Sequence, residues 1–254
     1  MKKVIMALVG NHRFYDLEVL ASVINIFEQD NLLKPEYYSS DDRMYYDYNH
    51  DDIISFATGD VLPFDLQIRR KKRIKYNSII KLDDRPGINI DFGQNIASKD
   101  LAYSFAFANR LAETYRPDFG WMHLFSGNQP PFEDELARNI YRIDIGMSGI
   151  APRYDRYGPG GLGLRTFIGP RYVEIFGREL LLSTPAHIKE LSWGGICIDL
   201  VPNPWQATPE DIIPVWQQSM EHLRSAQVFT HIELNDVGAV SFEVNKHPLS
   251  RRTL

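Results

Sequence analysis

From Tyr157 to Leu200 the chain reads YGPGGLGLRTFIGPRYVEIFGRELLLSTPAHIKELSWGGICIDL, and this stretch constrains the fold more than any other. Gly158, Gly160, Gly161, Gly163 and Gly169 fall within twelve residues. Such a run suggests a phosphate cradle, but no Lys-Ser or Lys-Thr follows to complete a P-loop, and no GxGxxG opens a helix after a strand. Glycine also permits positive φ and close approach of backbone. The stretch therefore reads as structural punctuation: Pro170 starts a short helix through Phe176, and Gly177 closes it.

The 254 residues suffice for one large domain or two small ones, burying roughly 70–75% of the unfolded surface. A net charge of -5 argues against a general nucleic-acid binder, which would carry a basic face. The charge is nonetheless segregated along the chain. Glu36–Asp65 holds eight acids and one base, Arg43, whereas Arg69–Lys75 packs six bases into seven residues. Each run suits either a solvated face or a patch that attracts an oppositely charged protein. Cys197 is the single cysteine, so no disulfide framework exists, and its setting between Ile196 and Ile198 is that of a small buried hydrophobe. The opening MKKVIMALVG is too short in apolar residues for a signal peptide and reads as a first strand. With no apolar span of 18 residues, no membrane-crossing helix is expected, and a cytoplasmic location follows.

Hydrophobic periodicity places the elements. Lys3–Val9 is a strand; Asp16 caps a helix whose face is Leu17, Leu20, Ala21, Ile24 and Phe27. Tyr37–Tyr48 reads as a strand and turn. Leu62–Ile68, Lys75–Leu82 and Gly87–Phe92 follow as an antiparallel meander, the first with one wet face and the Arg69–Lys75 bases at a hairpin connection. Ser98 is placed to cap a helix over Lys99–Tyr115, and Pro117 ends it. Trp121–Phe125 is a short strand, Glu133–Asn139 a helical piece and Asp144–Tyr157 a loop. Leu180–Leu182 and Ile196–Leu200 read as strands, with a helical turn over Pro185–Leu191 capped by Thr184 and a tight turn at Trp193-Gly194-Gly195. Thr208 caps Pro209–Ala226, and Val240, Phe242 and Val244 alternate. Strands and helices lack the regular cadence of a doubly wound fold. The expected class is a mixed α/β fold of α+β type: a largely antiparallel sheet with packed helices in a single compact unit. One domain over 1–254 is expected, with 1–97 and 98–254 as the halves if it divides.

Catalytic motifs are missing. No histidine pair has the HExxH spacing, and His187 with Glu190 would need further ligands to hold a metal. His123, inside Trp121-Met122-His123-Leu124, suits a sheet interior. Ser148 lies in GMSG and lacks the strand–turn–helix context of a nucleophile elbow. Asp144 and Asp155 are the least implausible acid pair, and loop solvation or capping explains them more cheaply. Neither a catalytic residue, a metal nor a cofactor is assigned. The aromatic inventory is richer: Tyr45, Tyr46, Tyr48, Tyr154, Tyr157, Trp205 and Trp216 lie in or near polar surroundings, as interface anchors do. Trp216 also fits the core stripe of its helix beside Ile212 and Met220.

An ordered set of blocks carries a resemblance. They are Arg116-Pro117-Asp118-Phe119-Gly120-Trp121, Thr166-Phe167-Ile168-Gly169-Pro170-Arg171-Tyr172-Val173, Phe176-Gly177 and Trp193-Gly194-Gly195-Ile196-Cys197-Ile198. Through them about the last 140 residues resemble bacterial immunity proteins encoded beside type VI or polymorphic effectors, the Imm52 group and the related DUF3396 proteins. The resemblance implies a mixed α/β protein that has no substrate and blocks a cognate toxin of nuclease type.

The expected function is thus an immunity protein whose partner is an effector toxin, with no direct contact to nucleic acid or membrane. The acidic segment is the expected contact, because a nuclease presents a basic groove that acids can occupy. Asp41, Asp42, Tyr45, Asp51 and Asp52 are the residues expected there. Two alternatives remain: a hydrolase assembled in space from His123, Asp144, Asp155 or His187, and a structural or phage-related assembly component.

Overall fold

Period-two strands and two long amphipathic helices build the first of two units. The computed structural model describes residues 2–10, 14, 16–40, 44–58, 65–82, 86–93, 96–126, 154–155, 158–229, 231–234 and 240–243. The chain divides into Lys3–Gly120 and Trp121–Leu254 (with Met1–Lys2). The division follows the helix over 98–115, whereas the expected halves part before it.

The first unit contains β1 (Lys2–Val9), α1 (Leu17–Glu28), β2 (Tyr37–Ser39), β3 (Tyr46–Asp47) and α2 (His50–Thr58). Next come β4 (Asp65–Arg70), β5 (Tyr76–Lys81), β6 (Gly87–Phe92) and α3 (Ser98–Tyr115). Its strands lie in the order β1-β6-β5-β4-β2-β3. The expected meander is present: Asp65–Arg70 pairs antiparallel with Tyr76–Lys81, which pairs with Gly87–Phe92, and residues 71–75 make the connection. β5 alternates cleanly, burying Tyr76, Ser78 and Ile80. β4 does not alternate, because Leu66, Gln67 and Ile68 are all buried. The Tyr45 hydroxyl donates to Gln67 Oε1 at 2.8 Å, roofing the face expected to be wet.

Asp16 caps α1 as expected, accepting from the Glu18 amide at 3.0 Å. α1 buries Leu20, Val23, Ile24 and Phe27 and packs with α3. Phe27 meets Phe107 edge to face, with ring centroids 5.0 Å apart. α3 starts one residue earlier than expected. Ser98 is its first residue, and Ala97 is the cap without a side-chain bond. Asp100 supplies the acid of the first turn instead. Arg116 leaves the helix at φ 50°, and Pro117 cannot continue it.

Asp30 fastens the end of α1 to α3. Its side chain is fully buried and saturated. Oδ1 accepts the Leu32 and Leu33 amides, each at 2.9 Å, and Oδ2 accepts the Tyr103 hydroxyl at 2.7 Å and the Arg110 guanidinium. Gly120 closes the unit where only hydrogen fits: a Cβ there would sit 2.5 Å from Leu8 Cδ2 and 3.1 Å from the Ala7 carbonyl.

The second unit contains β7 (Phe119–Ser126), β8 (Tyr154–Asp155), β9 (Gly158–Pro159), β10 (Arg165–Ile168), α4 (Pro170–Phe176) and α5 (Arg178–Leu182). It continues with β11 (His187–Glu190), β12 (Ile196–Asp199), α6 (Pro209–Leu223), β13 (His231–Leu234) and β14 (Val240–Glu243). One sheet runs β11-β12-β10-β7, and β8–β9 and β13–β14 form separate pairs. Two expectations are corrected. Leu180–Leu182 is helical, because Gly177 turns the chain at φ 86° and a second short helix begins at once, burying Leu181. Residues 187–190 form a strand instead of a helical turn, because β12 offers a free ladder and the Trp193-Gly194 turn folds the chain back onto it. Thr184 correspondingly bonds back to the Leu180 carbonyl at 3.3 Å.

The glycine-rich stretch packs on α6. The Leu162 carbonyl accepts from Trp216 Nε1 at 3.0 Å, and Trp216 is buried. A Cβ on Gly163 would stand 3.0 Å from Trp121 Cβ and 3.1 Å from the Met122 carbonyl. Thr208 and Asp211 complete a capping box at the start of α6. The expected piece at Glu133–Asn139 lies outside the described residues, as does most of the expected loop Asp144–Tyr157, whose Tyr154–Asp155 instead pairs with Gly158–Pro159 as a short strand. The observed class is the expected one, mixed α/β with a largely antiparallel sheet and packed helices.

Asp30→Ala should cost about 3 kcal/mol, since it orphans two buried amides and a partly buried guanidinium. Asp30→Asn should cost less, by keeping an acceptor for the two amides. Urea unfolding measures both; a loss under about 1 kcal/mol for the alanine variant contradicts this role.

Candidate protein-binding surface

Strand pairing brings together the two charge runs that the sequence keeps apart. β2 pairs antiparallel with β4 in the register Tyr37↔Arg69, Tyr38↔Ile68 and Ser39↔Gln67. The acidic segment therefore lies beside the basic one, and several charges meet. Glu36 accepts the backbone amides of Lys71 and Lys72 at 2.9 and 3.1 Å and pairs with Lys72 Nζ at 2.6 Å. The Lys72 hydrogen bond is the main cause that holds the Glu36 carboxyl below its ordinary range, against an opposing effect of burial. Arg73 pairs with Asp100 through two bonds, at 2.7 and 3.3 Å, which lowers that carboxyl as well. Arg70 donates to the Lys34 carbonyl at 2.6 Å. Lys71 Nζ lies 4.5 Å from the Tyr37 ring centre, and the Arg69 guanidinium 5.2 Å from that of Tyr45. The basic run is thus largely consumed within its own unit.

The acid segment keeps an open side. β3 is the outermost strand of the first unit's order and pairs with β2 through Tyr37↔Asp47 and Tyr38↔Tyr46. Asn49 Oδ1 accepts the Asp51 and Asp52 amides at 2.9 and 3.3 Å, which fixes the start of α2. Ile53 anchors that helix in the core, and Asp47, Asp51 and Asp52 face solvent. Met44 and Tyr46 are 57% and 48% exposed. Leu17 and Leu182 are the other large hydrophobics exposed to this degree among the described residues, so two of four lie at one acidic corner. Tyr38 joins the pieces: its ring lies 5.6 Å from that of Tyr46, and its hydroxyl donates to Asp52 Oδ2 at 3.2 Å. Burial, then Asp52, pushes the Tyr38 hydroxyl above its ordinary range, keeping it a donor.

Of the five expected contact residues, Asp51 and Asp52 stand exposed at this corner. Tyr45 is half-buried and engaged with Gln67 and Arg69. Asp41 and Asp42 lie outside the described residues. Met44, Tyr46 and Asp47 complete the surface. Tyr46 had appeared in sequence only among several aromatics, and Met44 carried no signal at all.

The two hydrolase candidates whose side chains are described, His123 and His187, do not come together. His123 is fully buried in β7, its ring edge-on to Phe125 with centroids 4.8 Å apart. His187 is exposed on β11, with β12 and β10 between the two strands, a separation of roughly 14 Å at ordinary strand spacing. Asp144 lies outside the described residues, as does the side chain of Asp155. Among the described residues no group of three His, Cys, Asp or Glu could hold a metal ion. Arg165 and Asp199 form a bidentate pair across β10 and β12, with both bonds at 2.7 Å. Cys197 is buried beside them, and burial pushes its thiol up to about 12.

Two measurements check these environments. Cys197 should resist iodoacetamide at pH 8 in the native protein and react in guanidinium chloride; fast native labelling contradicts the buried thiol. Glu36 and Asp100 both have folded pKa values depressed below their ordinary 4.5 and 3.8. Their stabilisation is present above those values and is lost as pH falls through the lower folded ones. A Glu36→Gln, Asp100→Asn variant should therefore be less stable at pH 7 and lose stability less steeply below about pH 4.5. An unchanged slope refutes the assignment.

No protein-family profile matches the chain, and no curated protein matches it. A match among solved structures is the Pseudomonas aeruginosa T6SS protein PA0821, with a TM-score of 0.58, 12% identity, and coverage of 96% of this chain and 80% of that one. The chain is similar to that protein in fold.

Proposed function

We propose that this protein is an immunity protein that binds an effector toxin of a type VI secretion system and blocks it, acting by binding and not by turnover. The observation that carries the reading is the β3–α2 corner, where Met44 and Tyr46 stand exposed among Asp47, Asp51 and Asp52. A solvent-facing aromatic and a methionine inside an acidic rim are the ingredients of a protein interface with a basic partner. The fold likeness to a T6SS protein supports the setting, while no family profile matches the blocks on which the Imm52 resemblance rests. A nuclease must display cations to hold its phosphate substrate, so an acidic surface can occupy the same groove and steer the encounter. The inhibitor would act in the cytoplasm. No described helix is long and apolar enough to cross a membrane.

Co-expression with candidate effectors tests the reading: the chain should restore growth to cells poisoned by its cognate toxin and co-purify with it. Asp51→Lys combined with Asp52→Lys should weaken that complex at least tenfold and flatten its salt dependence. Undiminished affinity in the double variant would remove this corner as the contact, and failure to rescue any neighbouring effector would remove the immunity role.

A further inference from the structure

Four tyrosines crowd the edge of the first unit, and their rings are used in different ways. Lys71 lies over Tyr37 and Arg69 over Tyr45, so two rings carry cations from their own chain. Tyr38 is enclosed between Tyr46 and Asp52. Tyr46 is the exposed member, and among the described residues no cation lies over its ring. Sheet parity explains the split. Tyr45 and Asp47 share the face of Tyr37 and Arg69, while Tyr46 shares that of Tyr38 and Ile68, where α2 brings Asp52 and Arg70 is turned to the Lys34 carbonyl. An acid fixed by a tyrosine hydroxyl beside a half-exposed ring is a receptor for a planar cation, which can stack on the ring and direct its N–H groups at the carboxylate.

We infer that Tyr46, backed by Tyr38 and Asp52, binds an arginine side chain supplied by a basic protein partner, with Met44 covering its aliphatic stem. The inference rests on the proposed function for the partner's identity, but the chemistry of the pocket stands separately. Guanidinium is favoured over ammonium because it stacks as a plane and is less strongly hydrated, whereas a lysine gains chiefly from the net acidity around it. The exposed acids Asp51 and Asp52 of α2 attract either cation; the ring makes the distinction.

The test uses the full chain and end-blocked tetra-arginine and tetra-lysine peptides, titrated by calorimetry at low salt. Tetra-arginine should bind about threefold or more tighter than tetra-lysine, the size expected of a stacked cation at a partly exposed ring. Tyr46→Leu, which keeps an apolar body at an exposed edge, should abolish the difference while leaving tetra-lysine binding unchanged. Asp51→Asn should weaken both peptides by a similar factor. Equal affinity of the two peptides for the wild-type chain overturns the inference, as does a preference that survives in Tyr46→Leu. Circular dichroism confirms folding of each variant, and Tyr46→Phe, which retains the π face, should preserve the arginine preference. Failure in the toxin co-expression experiment with a positive peptide result removes the immunity reading and leaves the arginine site standing; rescue without peptide discrimination does the reverse.

Discussion

The ladder between β2 and β4 is the constraint on which the first unit's surface depends. Tyr37 opposite Arg69 places the start of the acidic run beside the end of β4, so Glu36 reaches Lys71 and Lys72 with three contacts. A shift of one residue would turn Tyr38 to the side of Lys71 and Arg69 and present Tyr37 to Asp52. The observed register instead leaves cations over Tyr37 and Tyr45 and sets the Asp52 carboxylate on the hydroxyl of Tyr38, the ring beside Tyr46. The two charge runs meet on the sheet where Glu36 pairs with Lys72, and Asp47, Asp51 and Asp52 stay exposed.

Beneath this surface the same region is held by buried and half-buried polar groups bonded to one another. Tyr48 donates to Glu28 Oε1 at 2.8 Å, and His50 Nδ1 lies 3.0 Å from the same oxygen, fixing the entry to α2 against α1. Burial, then the Glu28 hydrogen bond, pushes the Tyr48 hydroxyl far above its ordinary range, so it remains a donor at every physiological pH. Asp30 and Tyr76 anchor the segment that follows α1, Tyr76 through a 2.7 Å bond to the Leu33 carbonyl. Side chains on such a base have little freedom left to lose, because the Tyr38 hydroxyl and ring hold Asp52 and Tyr46 in place.

Much of the fold was legible wherever a local signal agreed with the tertiary one. Asp16 before an apolar helical stripe, Gly177 after Pro170–Phe176, and Thr208 with Asp211 each specify an end without help from elsewhere. The misread segment 180–190 shows the opposite case. LLL has no period, and HIKE has its apolar residue half covered and its charges outward, so only the free edge of β12 makes it a strand. Gln67 likewise reads as a wet-face residue until Tyr45, 22 positions earlier in the chain, is seen to cover it. The acidic corner was legible as composition: Asp51 and Asp52 follow from the charge run. Its apolar centre was not, because exposure of Met44 and Tyr46 depends on β3 being outermost in its unit, which no local pattern encodes.

The glycine-rich stretch illustrates how sequence prominence can mislead about function. A Cβ on Gly163 would crowd Trp121 and the Met122 carbonyl, and one on Gly195 would clash with Trp193 and the Ile168 carbonyl, at 2.6 and 2.9 Å. Those glycines let backbone pack against backbone inside the second unit, and Leu162 spends both its amide and its carbonyl on α6. A phosphate cradle needs free amides turned outward; the Leu162 amide lies 3.4 Å from Met220 Sδ, and the Gly163 amide donates to Thr166 Oγ1 at 2.9 Å. The stretch that most shapes the chain is therefore occupied by the chain itself. The β3–α2 corner, short and plain in sequence, keeps an exposed ring next to exposed carboxylates, and among the described residues no cation lies over that ring.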